Sequence, residues 1–368
     1  MNIRIKNMAV CITFAVMLAG GFFMCICMPK KTYSDTERRK LASMPQFGRE
    51  TVINGRFMSG FEQYAADHFP FRDTFRTVNA LTAGGIFQRK DYHGLYVSDG
   101  FIAAVEYPID EASIKYAAGR FRFICDKYLT DQNNVFLSVI PDKNCFLAEE
   151  SGHLCMDYAA FERKMADQAD FAQYIQISDL LEKEDYYKTD THWRQEKIID
   201  VADRLASSMG GGQTGTDFNL ELRTAAHDFY GVYYGQAALP LEPDELRYVT
   251  WEDIGQCSVY DWENQKAIPV YDQKLAAGRD PYEMFLSGSL PLITMKNPKA
   301  QTDKKLVIFR DSFGSSIAPL LLRSYSQITL VDLRLIHPDR LETFIDFSSS
   351  DVLFLYSTLV LNHSDTLR

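Results

Sequence analysis

The sequence has 368 residues, of which 46% are hydrophobic and 24% are charged, so it is long and apolar enough to bury a substantial core. Its formal net charge is −10, which argues against nucleic acid as a partner because phosphate binding needs a basic surface. No cysteine outside the first 28 residues forms a C-x-x-C pair, so we expect no zinc site; pairing stays open for Cys125, Cys145, Cys155 and Cys257.

The first predicted element is an apolar segment at the amino terminus. The uncharged run Met8–Met28 spans 21 residues, which is enough to cross a bilayer. A cleavable signal peptide is the alternative, since Ala19 and Gly21 have the small-x-small spacing of a cleavage site. Because apolar residues continue past that site, the sequence favours an uncleaved transmembrane anchor over residues 1–28.

Residues 29–50 are polar and charged, and we interpret them as a tether to a folded domain at 51–368. Aromatic residues Phe57, Phe61 and Tyr64 have helical spacing, and Pro70 interrupts that helix. The Asp99-Gly100 dipeptide lies between two short apolar runs, which predicts a β-hairpin.

From residue 114 onward, helical patterns alternate with short apolar runs rich in β-branched residues. Strands that are apolar throughout and separated by helices indicate a parallel sheet covered on both faces. The predicted strands are 135–140, 174–178, 305–309, 328–333 and 351–357. The stretch at about 210–300 breaks this alternation, and its Tyr, Gly and Pro content predicts a β-rich insertion.

Two polar turns contain residue types that suit nucleophilic catalysis. Ser312 follows a buried strand and precedes a helix, where free N–H groups favour developing negative charge. A serine needs a base, and the base needs a third group to fix its tautomer. Asp190 and His192, two positions apart, provide an acid and an imidazole in one turn.

Each of these turns also has an ordinary explanation. Ser312 follows Asp311 at a helix start and is explained as an N-cap, and Asp190 or Thr191 is explained in the same way. A metal site built from Asp190, His192 and Asp311 is a further alternative, which we disfavour because only one histidine is present.

The segment "YYKTDTHWR" resembles the signature of the DHHW family of bacterial cell-surface proteins, with Thr191 in place of that family's first His. Six further segments resemble other blocks of that family in its order, and the resemblance covers nearly the whole chain after residue 35. They are "TERRKLASMP", "FEQYAADHFPFRD", "IPDKN", "DFYGVYY", "DPYEMFLSGSLPL" and "RDSFGSS".

The DHHW family in turn resembles the alginate O-acetyltransferases, which implies an SGNH-hydrolase-like fold and an extracytoplasmic location. By motif, the resemblance makes Asp190 the orienting acid, His192 the base and Ser312 the nucleophile. Arg310 stands where relatives often have Gly, which makes it a candidate contact in the oxyanion pocket. No cofactor and no metal is implied.

The resemblance also bears on topology. Five basic residues follow the apolar run, and charge counting alone would leave the remainder of the chain inside the cell. The family implies the opposite, a single amino-terminal span with the domain extracellular. We adopt that orientation as the expectation.

Further candidate contacts come from analogy and from position. Gly288 and Asn297 are candidate oxyanion donors by analogy with SGNH enzymes, or a turn glycine and a loop asparagine. Asp142 and Lys143 follow a strand end and either line the cleft or pair on the surface. Tyr282 either stacks on a sugar ring or belongs to the core of the insertion.

The expected function is acyl transfer, with acetyl as the expected group, to or from a hydroxyl of a cell-surface glycan through an acyl-serine. The expected partners are the glycan, an acyl donor, the membrane and a membrane-bound protein that supplies the donor. The alternative is a non-catalytic glycan-binding or surface-polysaccharide assembly protein with the same fold, in which Arg310 blocks the pocket.

Overall fold

The computed structural model describes residues 3–211 and 219–368. The chain divides into two compact units. The first comprises Met1–Tyr92 with Tyr234–Pro240, and the second comprises His93–Tyr233 with Leu241–Arg368.

The first unit is mainly helical. Its helix α1 (Ile3–Cys27) is long and apolar enough to cross a membrane, and none of its residues is buried. This is consistent with the predicted anchor and equally with a signal sequence. The other elements are β1 (Tyr33–Ser34), β2 (Arg39–Lys40), α2 (Arg49–Ile53), α3 (Arg56–Asp67) and α4 (Arg72–Gly85).

The second unit alternates strands and helices. Its first half contains β3 (Leu95–Ser98), β4 (Phe101–Ala104), α5 (Glu111–Tyr128), β5 (Val135–Ile140), α6 (Asn144–Ser151), α7 (Tyr158–Gln168), β6 (Gln173–Tyr174) and α8 (Ile199–Ser208). Its second half contains β7 (Glu221–Phe229), β8 (Asp244–Thr250), β9 (Ser258–Asp261), β10 (Lys266–Ile268), α10 (Gln273–Ala276), β11 (Leu292–Lys296), β12 (Lys305–Arg310), α11 (Gly314–Leu321), β13 (Gln327–Val331), β14 (Ser350–Ser357) and α12 (Thr358–Leu361). Helix α9 (Val232–Ala237) begins in this unit and continues into residues grouped with the first.

Among the described residues the main sheet has eight strands in the order β10-β9-β11-β13-β12-β14-β5-β6. The five strands from β13 to β6 are parallel, whereas β11, β9 and β10 join in antiparallel orientation. The α/β fold predicted from the alternation is therefore confirmed.

Both faces of the parallel strands are buried, as their continuous apolar sequences require. On β12, Leu306 and Ile308 pack with residues of α8 and α11, while Val307 and Phe309 pack with residues of α5 and α7. The carboxyl end of β12, which leads into residue 311, therefore opens at an edge of the sheet between helical layers.

Two parts of the predicted strand pattern differ in the structure. The strand predicted at 174–178 is reduced to β6, because Ile175 and Ile177 turn into the core and a 3-10 helix begins at Ser178. The predicted insertion at about 210–300 is β-rich, but only β7 and β8 form a separate pair, since β9 to β11 extend the main sheet. Residues 212–218 of that prediction lie outside the described residues.

Candidate active site

The segment 186–193 forms a closed loop. Tyr186 and Trp193 pair as an antiparallel bridge, and the Tyr187 amide donates to the His192 carbonyl at 3.1 Å. Trp193 is fully buried. The loop is thereby anchored at both ends in the core, which fixes the residues between them.

Asp190 is buried in this loop, and both oxygens of its carboxylate have hydrogen-bond partners. Oδ1 accepts the His192 amide at 3.1 Å and lies 2.5 Å from His192 Nδ1, while Oδ2 accepts the Val232 amide at 2.9 Å. A Cβ on Gly231 would lie 2.3 Å from the Asp190 Cα, so this close approach requires glycine. Backbone amides therefore hold the carboxylate in place independently of its contact with the imidazole.

The imidazole of His192 links this carboxylate to Ser312. Nε2 lies 2.7 Å from Ser312 Oγ, and the Tyr282 ring stacks on the imidazole at 3.8 Å between centroids with planes 7° apart. Ser312 is half-buried, so the residue is not sealed in the core. Two side chains from one turn and a third from 120 residues later thus form one hydrogen-bonded series.

Ser312 is positioned by the turn that follows β12. Asp311 Oδ1 accepts the Phe313 amide at 3.0 Å, and Oδ2 accepts the amide and the hydroxyl of Ser357 at 2.8 and 2.6 Å. Ser357 is the last residue of β14, the parallel neighbour of β12. The turn therefore lies at the carboxyl edge of the sheet, where α/β proteins bind ligands.

Most N–H groups at the start of α11 already have acceptors. The Gly314 amide donates to the Asp311 carbonyl and the Ser315 amide to the Ser312 carbonyl, both at 3.1 Å. The Ser312 amide has no hydrogen-bond partner within residues 3–211 and 219–368. Of the donors expected from the sequence, the amide of the serine itself is the one available to an incoming oxyanion.

Ser316, on α11, links the 186–193 loop to Tyr282 through its hydroxyl. Its hydroxyl lies 2.9 Å from both Trp193 Nε1 and Tyr282 Oη. Tyr282 is buried in the core of the insertion and stacks its ring on His192, so of its two interpretations the structure agrees with the core position. The insertion supplies a residue that orients the imidazole.

Asp142 and Lys143 are buried rather than exposed in a cleft. Asp142 accepts hydrogen bonds from Tyr158, Thr358 and the Asn144 amide at 2.7, 2.7 and 2.8 Å. Burial raises the pKa of the Asp142 carboxyl and lowers the pKa of the Lys143 ammonium to about 7. Neither of the two interpretations, a cleft-lining position or a surface ion pair, agrees with this burial.

Lys143 instead supports the loop that carries Asp190. Its Nζ donates to the carbonyls of Tyr187 and Lys188 at 2.8 and 3.3 Å and lies 5.2 Å from the centre of the Tyr233 ring. The carboxylates of Asp190 and Asp244 partly offset the effect of burial on the Lys143 pKa. The ammonium therefore holds the backbone just before the catalytic candidates.

Arg310 lies in the core and not in the pocket. Its side chain is fully buried, its Nη1 donates to the Asp311 carbonyl at 3.2 Å, and its stem packs against Gly314. Burial lowers the pKa of the guanidinium, and Asp332 opposes that change. The prediction that Arg310 contacts an oxyanion or substrate is wrong. Arg310 is the last residue of β12, and its side chain points into the core.

The two predicted second oxyanion donors are also placed elsewhere. The Gly288 amide donates to the Phe285 carbonyl at 3.3 Å within a turn where φ is 89°. Asn297 follows β11, an antiparallel strand, so it lies beside Ser326 at the amino-terminal edge of β13. Its amide group donates to the Leu322 carbonyl at 3.2 Å. Asn297 is therefore at the opposite edge of the sheet from Ser312.

Several residues that organise this site were not recognised from the sequence. Asp244 accepts the Thr189 hydroxyl at 2.6 Å and the Thr189 amide at 2.8 Å, and Gly231 and Val232 approach Asp190. The block "DFYGVYY" contains that glycine and valine, so its resemblance to a family block was the available signal. Asp244 had no comparable signal.

The comparisons with known proteins agree with this fold. Residues 37–131 match the model of a family described as DHHW protein. The predicted relation to the DHHW family is confirmed. The motifs that contain Asp190, His192 and Ser312 lie after the matched residues. A search of curated proteins found no match.

Several solved structures are similar to this chain over about three quarters of its length. A DHHW family protein from Eubacterium siraeum has 18% identity and a TM-score of 0.59, covering 74% of this chain and 93% of its own. Bacillus cereus PatB1 with a sulfonyl adduct has 17% identity and a TM-score of 0.57, covering 73% and 95%. The O-acetyltransferase domain of Pseudomonas putida AlgJ has 14% identity and a TM-score of 0.46, covering 73% and 92%. The first two establish the SGNH-hydrolase-like fold predicted for the family.

Proposed function

We propose that this chain is a membrane-anchored, extracytoplasmic enzyme that transfers an acyl group, acetyl in the first instance, to or from a hydroxyl of a cell-surface glycan. The observation that carries the proposal is the series Asp190, His192, Ser312, with contacts of 2.5 and 2.7 Å. An acid, an imidazole and a hydroxyl in this order are what activation of a serine requires. The partly exposed position of Ser312 supports access by an acyl donor.

In the first half-reaction, His192 Nε2 takes the proton of Ser312 Oγ as that oxygen attacks the acyl carbonyl carbon. Asp190 keeps Nδ1 protonated and stabilises the imidazolium. The carbonyl π electrons move to oxygen, and the free amide of Ser312 donates to that oxyanion. The intermediate then collapses, the leaving group departs with the proton from His192, and an acyl-serine remains.

In the second half-reaction, His192 takes a proton from a glycan hydroxyl, and the resulting oxygen attacks the acyl-serine. The Ser312 oxygen leaves with that proton, which regenerates the hydroxyl and yields the acylated sugar. Water in place of the sugar gives hydrolysis, so the same residues serve a transferase or an esterase. A membrane-bound partner that supplies the acyl donor fits the anchored location.

The extracytoplasmic orientation is part of the proposal. Helix α1 provides a segment of sufficient length. Of the five basic residues that follow it, Arg39 forms ion pairs with Glu37 and Asp67 in the folded unit. A carboxyl-terminal epitope that is digested by protease added to intact cells supports this orientation, and a protected epitope contradicts it.

The enzymatic proposal is tested by comparing Ser312→Ala with Ser208→Ala, an exposed serine at the end of α8. We expect wild type and Ser208→Ala to release nitrophenol from p-nitrophenyl acetate and to acetylate a soluble glycan acceptor. We expect Ser312→Ala to do neither, with an unchanged melting temperature.

Activity that persists in Ser312→Ala contradicts the proposal. If wild type is inert with both the simple ester and the donor-acceptor pair, the non-catalytic glycan-binding alternative is favoured. The side chain of Arg310, on which that alternative depended, is buried against Gly314 and does not fill the pocket.

A further inference from the structure

Helix α4 in the first unit has an unusual distribution of apolar residues. Its buried residues are the small Ala80 and Ala83. The large apolar side chains on and beside the helix point the other way, and their exposed fractions lie between 50% and 74%: Phe71, Phe75, Val78, Leu81 and Ile86. Helical spacing places Phe75, Val78 and Leu81 on one continuous face, and Phe71 and Ile86 flank the two ends of the helix. The helix thus buries its small face and exposes its large one.

The polar side of α4 is the side that contacts the protein. Arg72 and Arg76 lie 2.6 and 3.4 Å from the Glu37 carboxylate, and Arg76 also donates to the Gly235 carbonyl at 2.8 Å. These contacts fix the rotation of the helix. The apolar face is therefore exposed because of how the helix is held in the unit.

The position of this face relative to α1 indicates what covers it. The residues that directly follow α1 and the first turn of α4 line one cavity, which includes Met28–Lys31 and Phe69–Thr74. Helix α1 has 25 residues and is about 37 Å long, whereas the apolar core of a bilayer is about 30 Å thick. Residues 28–31 then lie at the headgroup level, and the start of α4 lies there with them.

The charges near this face agree with a membrane surface. Lys30 and Lys31 lie at one end of it, and Arg89 and Lys90 follow its other end. Four basic side chains therefore lie near the ends of this face, although the chain as a whole carries a net charge of −10. Basic residues beside an exposed apolar helix face favour an anionic lipid surface over water.

We propose that the apolar face of α4, formed by Phe71, Phe75, Val78, Leu81 and Ile86, lies in the interfacial layer of the membrane that holds α1. The chain is then attached at two places, by a spanning helix and by a helix lying along the surface. This inference rests on the anchoring part of the proposed function and is independent of its chemistry.

The test uses the full chain in phosphatidylcholine vesicles that contain a minority of phosphatidylglycerol, with and without bromine on the acyl chains. Phe75→Trp introduces a reporter on the apolar face. Gly84→Trp introduces the matched control, because Gly84 lies on the side of Ala80, is exposed, and has no heavy atom within 4 Å of where a Cβ would lie. The parent protein gives the background from its three native tryptophans.

We expect the fluorescence added by Phe75→Trp to be quenched in brominated vesicles and the fluorescence added by Gly84→Trp to be unchanged. Equal quenching of both, or of neither, overturns the proposal. Shielding of the Phe75→Trp reporter from both bromine and aqueous acrylamide also overturns it, since a protein surface then covers the face.

Flotation with the vesicles separates this result from the anchoring proposal. A chain that does not float contradicts anchoring and this inference together. A chain that floats without quenching of the Phe75→Trp reporter contradicts only the inference about α4. Ester cleavage measured on the same samples reports on the proposed chemistry and is expected to be equal in both variants.

Discussion

The turn at Asp190 and the turn at Asp311 have the same local design. In each, Oδ1 accepts the amide two residues later, from His192 at 3.1 Å and from Phe313 at 3.0 Å. In each, Oδ2 accepts an amide from a distant segment, Val232 at 2.9 Å or Ser357 at 2.8 Å. Both carboxylates are almost fully buried.

The difference lies in the side chain two positions on. At the first turn it is an imidazole, whose Nδ1 lies within hydrogen-bond distance of the same carboxylate. At the second it is Phe313, which packs in the core, and the Ser357 hydroxyl takes the remaining place on the carboxylate. The same backbone arrangement therefore holds the proposed base in one turn and the proposed nucleophile in the other.

The largest expected effect distinguishes the two carboxylates. Asp190→Asn is expected to lower the acylation rate on the order of 10⁴-fold, because the imidazole loses the group that fixes its tautomer. Asp311→Asn is expected to lower the free energy of unfolding by about 1–3 kcal/mol, because an amide faces the Ser357 donors, with a smaller loss of rate. Burst kinetics and urea unfolding on both variants measure the two effects.

Equal losses of rate in both variants, or an active Asp190→Asn protein, would remove the distinction between the turns. Asp190→Asn also presents an amide to the Val232 N–H, so some loss of stability is expected there too. The decisive quantity is the ratio of the rate effect to the stability effect.

Gly231→Ala tests the approach of a distant segment to the first turn. The added Cβ would lie 2.3 Å from Asp190 Cα, so we expect a loss of about 1–3 kcal/mol in unfolding free energy or a displaced loop with reduced activity. Gly119→Ala is the control, because that position in α5 has no heavy atom within 4 Å of an added Cβ. Wild-type stability in Gly231→Ala would contradict the close approach.

The buried Lys143, which supports the first turn, is expected to make the free energy of unfolding depend on pH. Burial lowers the pKa of Lys143 to about 7, whereas the pKa of a lysine in the unfolded chain is about 10.4. Between these values the unfolded state binds more protons, so stability rises with pH, by up to about 1.4 kcal/mol per pH unit. Below a pH of about 7, Lys143 is charged in the folded protein too, and the full free-energy cost of burying that charge then lowers stability.

The difference in unfolding free energy between wild type and Lys143→Met, followed by urea unfolding across this pH range, isolates that term. We expect the wild type to gain stability relative to the variant as pH rises. Parallel curves would show that Lys143 keeps an ordinary pKa in the folded protein.

The smallest expected effect concerns the stack on His192. Tyr282→Phe keeps the ring on the imidazole and removes the hydroxyl that lies 2.9 Å from Ser316 Oγ, so we expect a loss of about 1 kcal/mol and a rate within tenfold of wild type. Tyr282→Ala removes the ring and should lower the rate further than Tyr282→Phe does. Identical rates in the two variants would show that stacking of the ring on His192 does not contribute to the reaction rate.

The parallel sheet was predictable because its strands are continuously apolar, and β5 matches its predicted bounds. The pairing of Asp190 with His192 was suggested by their spacing in one short turn. Their contact with Ser312 crosses 120 residues of chain, and no local pattern specifies such a contact. The family resemblance supplied that pairing as an expectation.

The failed predictions share a cause. Arg310 was assigned by its place in a family motif and Asn297 by analogy, but the face of β12 and the direction of β11 decided where they lie. Strand direction depends on which neighbour a strand joins, which is a tertiary property. Tyr282 was placed in the insertion correctly, while its contact with His192 depended on how the insertion folds back.

Covalent labelling of the full chain with a phenylmethylsulfonyl fluoride tests the central claim most directly. We expect one sulfonyl group per chain, mapped by peptide mass spectrometry to Ser312, with labelling lost in His192→Ala and retained in Ser315→Ala. A wild-type protein that stays unlabelled while a control serine hydrolase reacts, or that is labelled at another residue, would contradict the account.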